Sequence, residues 1–323
     1  DKQAVCSYGA KTELSMEGGR IISTEPFYAY IKIAEGCSNN CTYCAIPSIR
    51  GKYRSRRMED IVKEARWLAE NGVTELVVVA QDTTRYGEDI YGKSMLPELL
   101  TALCEIDGFK WIRTLYCYPE RITDELLDVI AKEDKLVKYL DMPIQHCNKN
   151  ILKRMNRHGD RETLTALIKK IREKIPNVTL RTTLITGFPG ETEEQFEELC
   201  EFVKEIRFER LGCFAYSPEE GTPAEKFEDQ VPLKDRERRA EIIMEEQMII
   251  SDSLNEAALD SEVEVVCEGF DRYAECYYGR SQADAPEIDG KIFFLSEDKV
   301  RVGEYVKVKI DDTMDYDLIG SKM

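Results

Sequence analysis

Six short β-rich runs that alternate with longer amphipathic stretches constrain the fold of this 323-residue chain more than any other feature. The runs are FYAYIKIAEG at 27–36, ELVVVAQD at 75–82, WIRTLYCYP at 111–119, YLDMPIQH at 139–146, VTLRTTLITG at 178–187 and RLGCFAYSP at 210–218. Apolar residues recur at helical spacing in the intervening RMEDIVKEARWLAENG, ITDELLDVIAKE, ETLTALIKKIREKIP and TEEQFEELCEFVKEI. Because parallel strands need crossover connections, this alternation predicts an α/β fold, an open or partial (β/α) barrel of six units.

The pattern changes in the last fifth of the chain. A Pro-rich, acidic loop at 217–233 precedes a predicted long helix from Lys234 toward Asn255, which we expect to pack back on the barrel. Five short alternating runs follow, namely SEVEVVCEGF, YAECYYGR, KIFFLS, YVKVKI and DYDLIG. Such runs, separated by turn residues, predict a small antiparallel β-barrel of the OB-like kind. We therefore divide the chain into residues 1–22, a partial barrel with its closing helix at 23–257, and the small barrel at 258–323.

Charge and composition narrow the classes of function. The net charge is −17, from 62 acidic and 45 basic residues, so the molecule repels polyanions and direct nucleic-acid binding is disfavoured. No apolar run approaches the roughly 18 residues that a membrane span requires. Eleven cysteines without a secretory signal argue against a disulfide framework, and we predict a cytoplasmic protein.

Three cysteines with the spacing C-x3-C-x2-C follow the first predicted strand, at Cys37, Cys41 and Cys44. Ligands of barrel-like α/β folds bind at the carboxyl ends of the strands, where this loop lies. A structural zinc site needs four ligands, and no second Cys/His pair with zinc-finger spacing occurs. Three thiolates suit a 4Fe-4S cluster that keeps one iron open for a small molecule. The alternatives are three free thiols, or zinc with a fourth ligand from elsewhere in the fold.

The cysteine loop and five further motifs resemble the methylthiotransferases of the radical S-adenosylmethionine superfamily. The motifs are QDTTRYG at 81–87, YLDMPIQH at 139–146, ILKRMNRHG at 151–159, TTLITGFPGETEEQF at 182–196 and FAYSPEEGTPA at 214–224. The terminal barrel resembles the TRAM domain of that family, so the resemblance covers nearly the whole chain. It implies a 4Fe-4S cluster held by the three cysteines, whose open iron binds the amino and carboxylate groups of S-adenosylmethionine.

Two branches of that family differ in substrate. One modifies an adenosine of tRNA, and the other modifies an aspartate of the small-subunit ribosomal protein S-twelve. The tRNA branch carries Gln-Asn-Val-Asn after the second strand and Gln-Ser-Gly after the fourth, where this chain has QDTT from Gln81 and QHC from Gln145. Residues 257–323 hold 16 acidic and 8 basic residues, which suits a basic ribosomal protein better than tRNA phosphates. The resemblance therefore favours the ribosomal-protein branch, with docking through the acidic barrel.

The resemblance also implies a set of residues that bind the cofactor. These are Tyr43, Gln81, Asp82, Arg154, Thr183, Gly187 and Tyr216, with Arg157 as a second candidate for the cofactor carboxylate. Gly187 belongs to TGFPGE, whose glycines admit a close backbone approach to the adenosine portion. The basic run Arg50, Lys52, Arg54, Arg56 and Arg57 either stabilises the negatively charged loaded site or forms a solvated helix entry.

The chain departs from the family before the first strand. Intact relatives carry an N-terminal domain with three further cysteines for a second cluster used in sulfur insertion, and only Cys6 occurs here. We therefore expect residues 1–22 to be a linker remnant, and this chain to bind one cluster and cleave S-adenosylmethionine without completing methylthiolation. Two other hypotheses stay open: the tRNA-modifying enzyme, and a noncatalytic module that keeps the cluster as a structural element. The electron donor cannot be predicted.

Overall fold

The six predicted β-runs each contain a strand of the computed structural model, which describes residues 17–323. β1 is Tyr28–Lys32, and a short antiparallel pair, β2 (Ala34–Glu35) and β3 (Arg54–Ser55), follows it. The other strands of the set are β4 Glu75–Val79, β5 Trp111–Thr114, β6 Tyr139–Asp141, β7 Thr179–Thr186 and β8 Arg210–Ala215. The predicted linker over residues 1–22, with Cys6, lies mostly outside the described residues, which begin at 17.

The six strands form two parallel sheets, β1-β4-β5 and β6-β7-β8. A single parallel bridge between Ile112 and Leu136 connects the two sheets. No ladder joins β1 to β8 within residues 17–323, so the barrel stays open on that side. The predicted partial (β/α) barrel is confirmed.

Nine α-helices lie in the described part of the chain. They are α1 Ile46–Arg50, α2 Met58–Glu70, α3 Glu88–Tyr91, α4 Leu96–Cys104, α5 Asp124–Lys132, α6 Lys149–Arg154, α7 Arg161–Lys174, α8 Glu193–Ile206 and α9 Leu233–Glu256. Capping residues in the sequence determine where several helices begin. Thr123 caps α5, and Asp160 and Thr192 form capping boxes at α7 and α8. None of the helices between residues 17 and 323 has the length and apolar character needed to span a membrane.

Helix α4 was not expected from the helical periodicity. Its sequence LPELLTALC buries six of its nine residues, and the three less buried residues, Glu98, Thr101 and Ala102, lie on one face. The helical spacing is therefore present in the sequence, but it extends over only about two and a half turns. The sequence did carry one boundary signal, Pro97, which lies in the first turn.

The strands of the partial barrel have two different faces. Side chains alternate along a strand, and residues such as Ala29, Leu76 and Leu140 pack toward the helices in the largest apolar core. Their neighbours face the lumen, where Tyr28, Val77, Trp111, Leu115 and Tyr139 form a second cluster. The lumen therefore contains an apolar cluster of its own, separate from the core that packs against the helices.

The five terminal runs form a closed barrel, as predicted. Its strands are β9 Glu262–Asp271, β10 Cys276–Arg280, β11 Ile292–Leu295, β12 Tyr305–Met314 and β13 Asp317–Lys322, in the order β10-β11-β13-β12-β9. Four of the pairings are antiparallel and the fifth, β11 with β13, is parallel. Glycines allow the closest approaches, since a Cβ on Gly279 or Gly320 would overlap the backbone of the neighbouring strand.

The terminal barrel covers the lower lumen of the partial barrel. Val266, Ala285 and Tyr305 join the lumen cluster, and the Tyr305 ring lies edge-on 4.8 Å from the Trp111 ring. Residues 281–289, in the connection between β10 and β11, enter the lumen and are named the 281–289 segment below. The two barrels thus share one buried interface, with the carboxyl ends of the parallel strands on its far side.

Candidate active site

The three cysteines lie on a loop that the β2–β3 pair closes at its base. Ala34 and Glu35 pair with Ser55 and Arg54, which brings the two ends of the loop together. Gly36, at φ +78°, begins the loop, and a side chain there would overlap the backbone of Lys52. The Cys37 amide donates to the Gly51 carbonyl at 3.1 Å, and the Cys44 amide to the Cys41 carbonyl at 3.1 Å. These contacts direct the loop over the carboxyl ends of the strands.

The cysteines line a cavity of about 660 Å³ at that end of the barrel. Cys37 and Cys41 are buried and Cys44 is half-buried, and every cysteine in the described part of the chain is a free thiol. The volume is that of a small-molecule site, and most of the lining is apolar. Polar groups on or after five strands and on the loop converge on it, so the cavity has the form of a cofactor site.

The donor set fits a cluster better than a single metal ion. Within residues 17–323, no three Cys, His, Asp or Glu side chains come together closely enough to bind one ion. In a 4Fe-4S cluster each thiolate binds a different iron, so the sulfurs surround the group instead of meeting at a point. A tetrahedral zinc site would need these three sulfurs and a fourth ligand within bonding distance of one atom.

Burial and nearby negative charge disfavour the ionised form of two loop thiols. Burial raises the pKa of the Cys37 thiol, and the charges of Cys41 and Asp82 raise it further. Burial and Cys41 likewise raise the pKa of Cys44. Cys37 and Cys44 are therefore neutral thiols when no metal is bound, and binding of a cluster would be coupled to the release of their protons.

Gln81 and Asp82 follow β4, and the structure separates their positions. Gln81 lines the cavity, and its Oε1 is buried without a hydrogen-bond partner among the described residues. Asp82 is fully buried behind the loop, where it accepts hydrogen bonds from Asn39 Nδ2 at 2.8 Å and Thr84 Oγ1 at 2.5 Å. Gln81 thus offers a free acceptor to a ligand, whereas Asp82 anchors the cysteine loop.

The other predicted cofactor residues fall into two groups. Tyr43 and Thr183 line the cavity. Tyr216 does not; it is buried beside it, with its ring 5.2 Å from the Phe188 ring. Phe188 in turn packs edge-on against Tyr43 at 6.4 Å, so Tyr216 supports a lining residue through one intermediate ring.

Arg154 points away from the cavity. Its Nη2 is 2.6 Å from Asp229 Oδ1, its Nε donates to the Pro189 carbonyl at 2.9 Å, and its guanidinium lies 5.1 Å from the centre of the Phe227 ring. Arg157 takes the cavity position instead. It is buried, its Nη2 donates to the Pro143 carbonyl at 2.7 Å, and its Nε has no partner in the described chain.

Several lining residues were not expected to bind a ligand. Tyr116 and Tyr118 follow β5 as Gln81 follows β4, so the same positional rule would have found them. The Arg157 guanidinium stacks 4.0 Å from the centre of the Tyr118 ring, and the Tyr118 hydroxyl lies 2.9 Å from Cys41 Sγ.

Gln145 also lines the cavity and has φ +72°, a strained value for a residue other than glycine. No sequence signal marks Ile288, the one lining residue from the terminal barrel.

The basic run after the cysteines lies outside the cavity. None of Arg50, Lys52, Arg54, Arg56 and Arg57 lines it in residues 17–323. Arg56 is buried and ion-pairs with Glu64 at 2.7 Å and Glu17 at 2.6 Å. Arg50 approaches Glu35 at 3.8 Å. In this structure, two of these arginines have carboxylate partners from this chain.

Gly187 is enclosed by helix α9. Its φ is +67°, and a Cβ there would overlap Arg236, whose guanidinium donates to the Val231 and Tyr216 carbonyls. Glu191 accepts from the Gly187 amide, from Arg239 Nη1 at 2.9 Å, and faces His146 Nε2 at 3.2 Å, all in the fully buried interior. The glycine therefore permits a close approach of α9 to the loop after β7.

We expect Gly187→Ala to lower the free energy of unfolding by about 2–4 kcal/mol, from left-handed strain plus overlap with Arg236. Urea denaturation measures the change. Gly221→Ala is the matched control, because Gly221 has φ +81° but open space around it and would cost about 1–2 kcal/mol, the strain alone. Equal costs for the two variants would contradict the role of close packing.

Known proteins match the chain over both barrels. Residues 31–203 match the Radical SAM superfamily, and residues 261–322 match the TRAM domain. The ribosomal protein uS12 methylthiotransferase RimO of Clostridium tetani is 51% identical over 320 residues, which cover 99% of this chain and 71% of that protein. The proteins of the same name from Clostridioides difficile and Caldanaerobacter subterraneus are 54% and 50% identical, over 93% and 98% of this chain and 68% and 72% of theirs. The chain therefore belongs to the Radical SAM superfamily and, within it, to the RimO family of ribosomal protein uS12 methylthiotransferases.

Proposed function

We propose that this chain removes a hydrogen atom from the β-carbon of an aspartate in ribosomal protein uS12, the step with which methylthiolation of that residue begins. The observation that carries the proposal is the cavity lined by three free cysteines in a chain about half identical to uS12 methylthiotransferases. A β-carbon hydrogen of aspartate is not acidic enough for ordinary base catalysis at neutral pH. When bound, a 4Fe-4S cluster and S-adenosylmethionine supply reductive cleavage to a 5'-deoxyadenosyl radical, which removes such a hydrogen atom.

Different residues of the cavity bind the cluster and S-adenosylmethionine. Cys37, Cys41 and Cys44 hold the cluster. The free Oε1 of Gln81 accepts from the amino group of the cofactor, and Arg157 pairs with its carboxylate. The buried surroundings of these groups exclude water from the reacting atoms. Tyr43 and Thr183 complete the wall, with Tyr216 behind Tyr43.

Arg157 and Arg154 make a matched test of carboxylate binding. Arg157→Gln is expected to raise the Kd for S-adenosylmethionine about 30-fold or more, because a buried charge partner is lost. Arg154→Gln removes the same charge three residues away, outside the cavity, and is expected to change the Kd less than about threefold. Isothermal titration of the reconstituted protein measures both values. The reverse ranking would favour the sequence-based prediction of Arg154.

One cluster per chain is the proposed stoichiometry for residues 17–323, which contain one cysteine loop of this kind. Anaerobic reconstitution should give about four irons and four sulfides per chain by chemical analysis. Values near eight would contradict the proposal, and a single zinc would contradict the cluster itself.

The acidic terminal barrel is the proposed docking surface for uS12. Support comes from its 16 acidic and 8 basic residues, which would oppose the phosphates of a tRNA and attract a basic protein. We propose a domain boundary at 257/258, between the end of α9 at Glu256 and the start of β9 at Glu262. Because uS12 is a ribosomal protein, we place the reaction in the cytoplasm.

Transfer of deuterium tests the reaction and its substrate together. The reconstituted protein is incubated anaerobically with dithionite, S-adenosylmethionine and uS12 that carries β-deuterated aspartate. Mass spectrometry should then find deuterium in the 5'-deoxyadenosine. A parallel incubation with tRNA serves as the competing substrate. Formation of 5'-deoxyadenosine that depends on tRNA and not on uS12 would assign the chain to the tRNA-modifying reaction instead.

A further inference from the structure

One wall of the cysteine cavity comes from the other barrel. Ile288 belongs to the 281–289 segment, between β10 and β11 of the terminal barrel, and it lines the same cavity as the three cysteines. The residue is 42% exposed, although the surrounding lining is mostly apolar. An isoleucine that faces a cavity and stays half-exposed gains buried area as soon as an apolar group enters.

An ion pair and two hydrogen bonds join the 281–289 segment to strands of the partial barrel. Asp284 Oδ1 lies 2.6 Å from Arg210 Nη2, and Asp289 Oδ2 accepts from the Tyr139 hydroxyl at 2.7 Å. The Gln282 carbonyl accepts from Arg113 Nη1 at 2.9 Å. All of these partners lie on lumen-facing strand positions. These contacts fix the segment to three strands, which suits a surface that must be preorganised for recognition.

The backbone at the tip of the segment is also specified. Glu287 has φ +63°, a left-handed value that is unfavourable for a residue with a side chain. Tyr30, another lining residue, donates its hydroxyl to the Pro286 carbonyl at 3.4 Å. The Asp289 carboxylate accepts from the Ala285 amide at 2.8 Å and closes the turn. The next residue after the strained position is Ile288, so this turn determines where its side chain enters the cavity.

The position of Ile288 separates it from the cofactor-binding groups. Cys44 lies on the cysteine loop, Gln81 follows β4, and Thr183 lies in the middle of β7. The segment that carries Ile288 enters from the other side and is anchored to Tyr139, at the start of β6. A polypeptide that brings an aspartate to the cofactor must occupy the space between these two sets of residues.

We propose that Ile288 contacts an apolar side chain next to the target aspartate of uS12 and so helps to select that loop. The inference rests on the proposed function and assigns to the terminal barrel a part of the active-site wall, in addition to its docking surface. The shared cavity makes substrate selection depend on the two barrels together.

Site-specific photocrosslinking tests the contact directly. The photoreactive residue p-benzoylphenylalanine replaces Ile288 in one variant and Leu295 in a control. Leu295 is 59% exposed and lies on β11 of the same barrel, but it does not line the cavity. Irradiation with uS12 should give at least about tenfold more adduct from position 288, and unlabelled uS12 peptide that carries the aspartate should suppress it. Equal yields from the two positions would overturn the proposal.

Affinity gives a second measurement with the natural side chains. Fluorescence anisotropy measures the Kd of a labelled uS12 peptide. The Kd should rise about tenfold for Ile288→Ser and stay within about twofold of wild type for Ile288→Val. It should not change for Leu295→Ser. If the wild-type protein binds the peptide and Ile288→Ser binds it equally well, the proposed contact is wrong while the proposed function stands. If the wild-type protein binds no uS12, the substrate assignment fails first.

Discussion

Cys44→Ala is expected to reduce the formation of 5'-deoxyadenosine at least about 1000-fold, the loss typical of removing one member of a group that acts as a unit. Cys44 is half-buried and contributes little to the apolar core, so the fold should persist. The reason for the loss is the number of protein ligands that the cluster needs. Two thiolates cannot hold a cubane in place of three, since each one binds its own iron.

The measurement combines iron content, the charge-transfer absorption of the reconstituted cluster and anaerobic turnover with dithionite. Cys276→Ala is the matched control, because Cys276 is a buried free thiol of the terminal barrel and lies away from the cavity. It should keep iron content and turnover within about twofold of wild type. A Cys44→Ala protein that still holds a full cluster and cleaves the cofactor would show that Cys44 is not a ligand.

The hydrophobic pattern and the cysteine spacing predicted most of the scaffold. Each β-rich run contained a strand, because short runs of apolar and β-branched residues suit parallel strands that are buried on both faces. The four helices expected between strands also formed. Cys37, Cys41, Tyr43 and Gln81 line the cavity because position at the carboxyl end of a parallel strand is a local property that the sequence reveals. The family resemblance then supplied the chemistry that these residues serve.

Orientation was harder to predict than position, as Arg154 and Arg157 show. Arg154 is the last residue of α6, and Asn156 has φ +56°, so the chain reverses direction between the two arginines. A left-handed asparagine after a helix is a recognised cap, but it does not indicate which neighbouring side chain points inward. The charge of Asp229, far along the chain, draws Arg154 outward. Such a partner cannot be identified from the sequence around α6.

Contacts between the two barrels were not predictable from the sequence either. Glu75, Arg113 and Arg280 are fully or almost fully buried, and they lie on β4, β5 and β10. In the sequence each is an ordinary charged residue of a short strand. Their burial results from the seating of one barrel in the lumen of the other, a tertiary arrangement that periodicity does not encode. That buried cluster leads to the second large expected effect.

Glu75→Gln is expected to lower the free energy of unfolding by about 3–5 kcal/mol, the usual cost of breaking a buried ion pair. Glu75 Oε1 accepts from Arg113 Nε at 3.0 Å, and its Oε2 ion-pairs with Arg280 Nη2. The amide keeps the shape of the side chain but leaves two buried guanidinium groups. Among residues 17–323, Glu268 is the carboxylate that still ion-pairs with this cluster, 2.7 Å from Arg280 Nε, and burial already raises the pKa of that carboxyl.

Urea denaturation is followed by tryptophan fluorescence in a Trp67→Phe background, so that the signal reports on this interface. Trp111 is then the only tryptophan left, and it packs against Tyr305 of the terminal barrel. Glu264→Gln is the control, since Glu264 also joins the two barrels, through Lys110 at 2.6 Å, but both side chains are more than a third exposed. That change should cost no more than about 1 kcal/mol. Similar costs for the two variants would mean that the buried cluster does not hold the barrels together. A loss of stability seen with Glu75→Gln and not with Glu264→Gln would show that the buried ion pairs of Glu75 hold the two barrels together. One of these barrels carries the cysteines and the other carries Ile288.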